Sequence, residues 1–196
     1  MIMRGLADEL YREISEEKSI EEKSIEEKSL KEALDGINRT EKALDGRNNI
    51  NRLEEVLRGF LKDAYEFQDN TFYSHPGYYI DYFEMRQGQC RILHELFEEI
   101  KKIRSMPKQA GDIADYMRYL ADYVVEKNEP SRQMDALAEL FKRMEKEELP
   151  KTRSEFEARA VLYHVLMQLD EFLDYKFRFV KGLDDRQRKK YWNSGA

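Results

Sequence analysis

At 196 residues, with 41% hydrophobic, 12% aromatic and 38% charged residues, the chain has material for one helical domain of ordinary size and too much core material for disorder throughout. Residues 1–35 carry eleven acids against six bases, or −5 of the net −6, so the remainder is nearly neutral and a broad nucleic-acid surface, which needs clustered Lys and Arg, is excluded. No run reaches the ~18 to 20 consecutive apolar residues of a membrane span, Met1 to Leu10 lacks the apolar centre of a signal peptide, and the single Cys90 rules out an intrachain disulfide and suits a reducing compartment.

The first predicted element contains the repeat EEKSI, with Ile20, Ile25 and Leu30 closing successive copies. Five residues turn an α-helix through about 140° net, so these three side chains cannot share a stripe and the repeat is no coiled-coil heptad. Glu and Lys favour helix, and Leu6, Leu10 and Ile14 before the repeat and Leu30, Leu34 and Ile37 after it keep helical spacing, which predicts one helix from about Arg4 to Leu34. The echoed Ala-Leu-Asp-Gly, ending at Gly36 and Gly46, supplies two helix stops.

Leu53, Val56 or Leu57, Phe60 or Leu61, Ala64 and Phe67 predict a second helix over 49–68, broken at His75-Pro76-Gly77. A third runs from Tyr78 to Arg104 on Tyr79, Phe83, Cys90, Leu93, Phe97 and Ile100, with Arg86 in the gap of that stripe; Pro107 ends it. A fourth, from about Gln109 to Glu126, rests on Ile113, Met117, Leu120 and Val124. Ser131 is placed as the N-cap of a fifth, buried through Leu137, Leu140 or Phe141, and Met144. Pro150 blocks continuation, and Thr152 with Glu155 forms a capping box that opens a last helix over Arg153 to Lys181. Its expected buried positions are Phe156, Ala160, Tyr163, Met167, Leu173, Phe177 and Val180, with Gly182 as the cap.

No alternating run of strand length occurs, so the predicted fold class is all-α, an up-and-down helical bundle of about five to six helices. Residues 1–47 form an N-terminal helix and linker, 48–182 the bundle, and 183–196 a basic tail. That tail sets Arg186, Arg188, Lys189 and Lys190 beside Tyr191 and Trp192; it reads as a solvated terminus, with contact to an anionic membrane surface as the alternative.

Arg86 is the sharpest single residue, because a guanidinium on an apolar stripe requires a carboxylate or bears a large desolvation cost. Glu157, at the start of the last helix, is the natural partner. Arg86 and Arg159 can also be read as holding an anionic ligand such as an aromatic carboxylate, with Tyr78, Tyr79 or Tyr82 stacking on its ring. An ion pair that fixes helix register accounts for the same residues without a ligand. His94 with Glu98, and His164 with Glu157, do not reproduce the paired Glu-x-x-His pattern of helical metal sites, so no metal is expected. No nucleophile with a base at a recognisable spacing and no glycine-rich phosphate loop is present, so no catalysis is expected.

Two stretches carry a more specific pattern. The first has Tyr82-Phe83, Met85-Arg86 and Gln89; the second has Leu149-Pro150, Thr152-Arg153, Glu155-Phe156-Glu157 and Arg159-Ala160. In this order and spacing, over roughly Asn48 to Lys181, the chain resembles the C-terminal domain of the bacterial putative aromatic acid exporter family, in which a transmembrane half precedes a soluble helical half. The five-residue repeat is outside that pattern. The resemblance implies a domain at the cytoplasmic face of the bacterial membrane that helps assemble, gate or regulate an exporter and needs no cofactor. Its implied partners are the transmembrane half, expected outside this chain, and a second copy in a homo-oligomer; the residues themselves add a candidate site for a small aromatic carboxylate at Tyr79, Tyr82, Arg86, Glu157 and Arg159. A free-standing helical interaction module and a sensor of small aromatic carboxylates are the alternatives.

Overall fold

A computed structural model describes residues 50–66, 77–123 and 127–192; the helix expected over Arg4 to Leu34, its repeat and the glycines at 36 and 46 lie outside these residues. All regular structure among the described residues is helical, in agreement with the all-α class. Helix α1 covers 50–66. It is followed by α2 (Gly77–Ile100), α3 (Gln109–Tyr123), α4 (Ser131–Glu145) and α5 (Arg153–Gly182). The short α6 (Asp185–Gln187) then runs into a π-helical turn, Arg188–Trp192.

The 30-residue α5 is the spine. It packs lengthwise against α2, and α3 and α4 also contact it. Ala158, Leu162, Val165, Leu166, Leu169, Phe172 and Leu173 recur at steps of three and four, which puts them on one side of the helix and buries them all. Opposite them Ile92, Leu96, Ile113, Met117, Leu120, Leu137 and Leu140 are also buried. Each such aliphatic side chain contributes roughly 1.5–3 kcal/mol relative to exposure. The face of α5 expected inside is partly the wrong one: Phe156, Tyr163 and Met167 are 61%, 46% and 54% exposed, and Ala160 is exposed as well. The aromatic residues suggested a stripe one helical step away from the aliphatic one that packs.

The helix ends also refine the sequence reading. Thr152 Oγ1 accepts from the Glu155 amide at 3.1 Å, as an N-cap should, but Glu155 Oε2 accepts from the Lys151 amide at 2.9 Å, so the reciprocal half of the capping box is displaced by one residue. Ser131 is the first helical residue of α4 and not its cap; Pro130 occupies that position without a side-chain bond. Gly182 closes α5, and Leu183 is the C-cap.

At the crossing of α2 and α5, Gly88 lets Tyr175 lie against the backbone: a Cβ at Gly88 would stand 2.6 Å from Tyr175 Cζ. Arg91 Nη2 donates to the Tyr175 hydroxyl at 2.7 Å and holds the ring there.

The described residues beyond α5, 183–192, fold back on the bundle instead of forming a solvated terminus. Asp184 and Gln187 make a complete capping box for α6. Arg188 then donates to the Val180 carbonyl at 2.7 Å and to Glu129 Oε1 at 3.1 Å. This turn returns Tyr191 and Trp192 to the bundle.

Candidate functional site

The start of α2 and the end of the chain meet in an aromatic cluster. Tyr191 stacks on the buried Tyr78 at 4.0 Å between ring centroids, and the Trp192 indole donates to the Tyr78 hydroxyl at 3.3 Å. Tyr82 lies 5.7 Å from Phe179, and Tyr79 lies 5.3 Å from Tyr191. Both contacts are edge-on; Tyr82 is partly buried among these rings, whereas Tyr79 remains 47% exposed.

One turn beyond Tyr82, Arg86 is half-buried and donates to Gln89 Oε1 at 3.0 Å; Gln89 Nε2 in turn donates to the Phe172 carbonyl at 3.0 Å, which ties α2 to α5. The expected pair with Glu157 does not form. Glu157 Oε1 accepts from Arg153 Nε at 2.8 Å on its own helix, and both side chains are exposed. Among the described residues Arg86 has no ion pair, which its partial exposure and the Gln89 acceptor make tolerable. It lines a small cavity of about 20 Å³ with Tyr123, Gln133, Phe172 and the buried Lys176. That space takes about one water molecule.

Arg159 stands elsewhere. Phe172, beside Arg86, follows Arg159 by thirteen residues, which at ~1.5 Å per residue is about 20 Å along α5. The structure thus separates the sequence-predicted site residues into three groups: Tyr79 and Tyr82 in the aromatic cluster, Arg86 at mid-bundle, and Glu157 with Arg159 near the start of α5.

At that end a cleft of about 730 Å³ opens between the start of α3, the end of α4 and the start of α5. Arg159 lies in its wall, with Nη1 donating to the Glu148 carbonyl and Nη2 to Glu155 Oε1, each at 2.5 Å. The Lys151 amide, followed by Arg159, holds the Glu155 carboxyl below its ordinary pKa. Glu147 pairs with Lys108 at 3.1 Å, and Glu148 with Lys151 at 3.9 Å. Arg143 and Lys146 also line the cleft and form no ion pair among the described residues. Gln109 is 2% exposed, and both ends of its amide lack a hydrogen-bond partner among the described residues; so does Arg159 Nε. Sequence reasoning used Gln109 only as a helix boundary, and nothing in its neighbours pointed to the cleft. The one available signal was a polar amide at the first position of an amphipathic helix.

The described residues contain no helix long and apolar enough to cross a membrane. The chain matches the family model described as putative aromatic acid exporter C-terminal domain over residues 12–177. A relative, the uncharacterized protein YqjA of Bacillus subtilis (strain 168), is 32% identical over 120 residues, covering 61% of this chain and 37% of the relative. The chain thus spans little more than a third of that relative's length. In fold it is similar to the crystal structure of a putative membrane protein from Clostridium difficile 630, with a TM-score of 0.60 and 18% identity over 92% of this chain and 95% of that one. The chain belongs to the family of putative aromatic acid exporter C-terminal domains.

Proposed function

We propose that this chain works at the cytoplasmic face of the membrane as the assembly, gating or regulatory domain of an exporter, joined to or docked on a transmembrane half, with no catalysis of its own. The observation that carries the reading is the family match over residues 12–177 in a chain whose described helices are all too short or too polar to span a bilayer. A domain of this family without membrane helices of its own acts on transport through another part of the exporter. Support also comes from α5, where Phe156, Tyr163 and Met167 leave apolar surface uncovered along one face.

The test is a full-length exporter of this family with and without the C-terminal domain, expressed in an efflux-deficient bacterium. Deletion is expected to lower tolerance to aromatic acids and to dissociate the exporter on native gels. Unchanged tolerance and unchanged assembly would sink the reading.

A second reading, a sensor of small aromatic carboxylates, is supported by Arg86, a half-buried guanidinium with no ion pair among the described residues and with Tyr123 beside it. The cavity there would have to open to admit a ring. Calorimetric titration with benzoate checks this: saturable binding lost in Arg86→Met, with the fold retained, supports it, and no heat at millimolar benzoate removes it.

A further inference from the structure

We propose that the outer face of α5 pairs antiparallel with the same face of a second copy of this chain, through a seam of Phe156, Ala160, Tyr163 and Met167 closed at each end by an ion pair between Arg153 and Asp170. Three observations carry it.

The first is a second stripe on α5, separate from the aliphatic one that packs inside. Arg153, Phe156, Ala160, Tyr163, Met167 and Asp170 follow one another at alternating steps of three and four, and every one of them is exposed. That spacing is the one by which a helix meets another helix along a seam. From Arg153 to Asp170 the stripe runs about 25 Å, at ~1.5 Å per residue. Neighbouring helices reach its margin without covering it: the Phe141 ring of α4 meets Tyr163 edge-on at 5.5 Å between centroids, and Glu99 of α2 lies 3.6 Å from His164.

The second is that the stripe is complementary to itself when reversed. Laid antiparallel on a second copy, Phe156 stands opposite Met167 and Ala160 opposite Tyr163, so the smallest side chain faces a large ring. The same register sets Arg153 opposite Asp170, and a two-fold axis repeats each of these contacts. A parallel pair would set Arg153 on Arg153 and Asp170 on Asp170, which like-charge repulsion disfavours. Charge therefore selects the antiparallel arrangement.

The third is the state of Asp170. Its neighbour Asp174 is paired with Arg178, whereas Asp170 makes no ion pair among the described residues. Partial burial and the negative charge of Asp174 hold its carboxyl above the ordinary range, so a cation brought to it is favoured. Arg153 can supply that cation, because its bond to Glu157 joins two exposed side chains of one helix, a pairing of the kind that contributes little. With one helix from each copy the interface falls at the small end, below about 1,200 Å². The dilute chain is therefore a monomer, and the dimer forms as concentration rises. This inference rests on the α5 surface and not on the exporter reading, which a monomeric chain would leave standing.

The experiment is sedimentation velocity on the 196-residue chain, from about 1 μM to about 1 mM, with circular dichroism to confirm that each variant is folded. A reversible monomer–dimer equilibrium is expected. Arg153→Asp and Asp170→Arg each set like charges against one another at both ends of the seam and should weaken the dimer by about tenfold or more. An equal mixture of the two variants should recover it, since the mixed dimer again faces Asp with Arg at both ends. The double variant Arg153→Asp with Asp170→Arg should also recover it, which a parallel pair would not allow. A chain that stays monomeric to about 1 mM overturns the proposal and assigns the face to another occupant, within the chain or on the transmembrane half. A dimer that neither single variant weakens overturns it by placing the interface elsewhere. Failure of both the mixture and the double variant to recover the dimer overturns it too, because Arg153 and Asp170 would then not face each other.

Discussion

Cys90 shows how one side chain reports on the packing around it. It is 1% exposed on α2, and its thiol lies 3.6 Å from the Ile50 carbonyl of α1. Burial pushes the thiol from an ordinary 9.0 to about 11. Since the folded value lies above the unfolded one, its contribution to stability is complete below pH 9 and falls away as pH rises towards 11. At pH 8 the native chain should react with a thiol reagent only as fast as it opens, and promptly in urea; stoichiometric labelling of the native chain within seconds would contradict this burial. Gly88 makes the opposite point, that a missing side chain can matter. Gly88→Ala gains about 1 kcal/mol of helix propensity, but the new methyl would displace the Tyr175 ring and break its bond from Arg91. Overpacking of that kind costs about 1–3 kcal/mol. The expected outcome is a net loss of stability in urea titration, and a more stable Gly88→Ala variant would show that the ring moves freely.

At the level of elements, the existence of α1 to α5 was legible because apolar residues recur at three and four along each of them, and prolines at 107, 130 and 150 separate α2 to α5, whereas the three-residue α6 carries no apolar residue to announce it. Which face is buried was less legible. On α5 the aliphatic stripe through Leu162, Leu166 and Leu169 and the aromatic one through Phe156 and Tyr163 share the same period, so periodicity alone does not choose between them. Propensity also gave no sign that the basic tail folds back: Arg188 reaches two carbonyls and Glu129 only after α6 turns the chain. The capping of α5 could be read directly from Thr152, because a cap depends on residues three apart in sequence. Thr152→Ala should therefore destabilise the chain by about 1 kcal/mol. In a chain of this size that is a drop of roughly 2–4 °C in thermal midpoint. Thr152→Ser should restore most of it, and an unchanged midpoint in Thr152→Ala would mean that the Lys151–Glu155 bond alone secures the helix start.

Across the whole molecule, family membership could be read from two short signatures, whereas the site could not. Arg86 and Arg159 lie in those signatures, yet their separation depends on how α2 is set along α5, and Gln89 fixes that offset by bonding to the Phe172 carbonyl. Local spacing carries no information about such an axial shift. The same long helix leaves Phe156, Tyr163 and Met167 more than two-fifths exposed, and a face of that kind matters to an assembly role only if something covers it in the working protein. Introducing charge there distinguishes the cases. Phe156→Glu combined with Met167→Glu should change the stability of the isolated chain by no more than about 1 kcal/mol, since exposed positions tolerate substitution to within ~0.5 kcal/mol each. In a full-length exporter the same pair of substitutions should weaken assembly on native gels, because two carboxylates would be placed in an apolar contact. If the isolated chain instead loses several kcal/mol, the face is covered from within the chain; if neither the chain nor the assembled exporter responds, the contact that joins the domain to its partner lies on another face of the bundle.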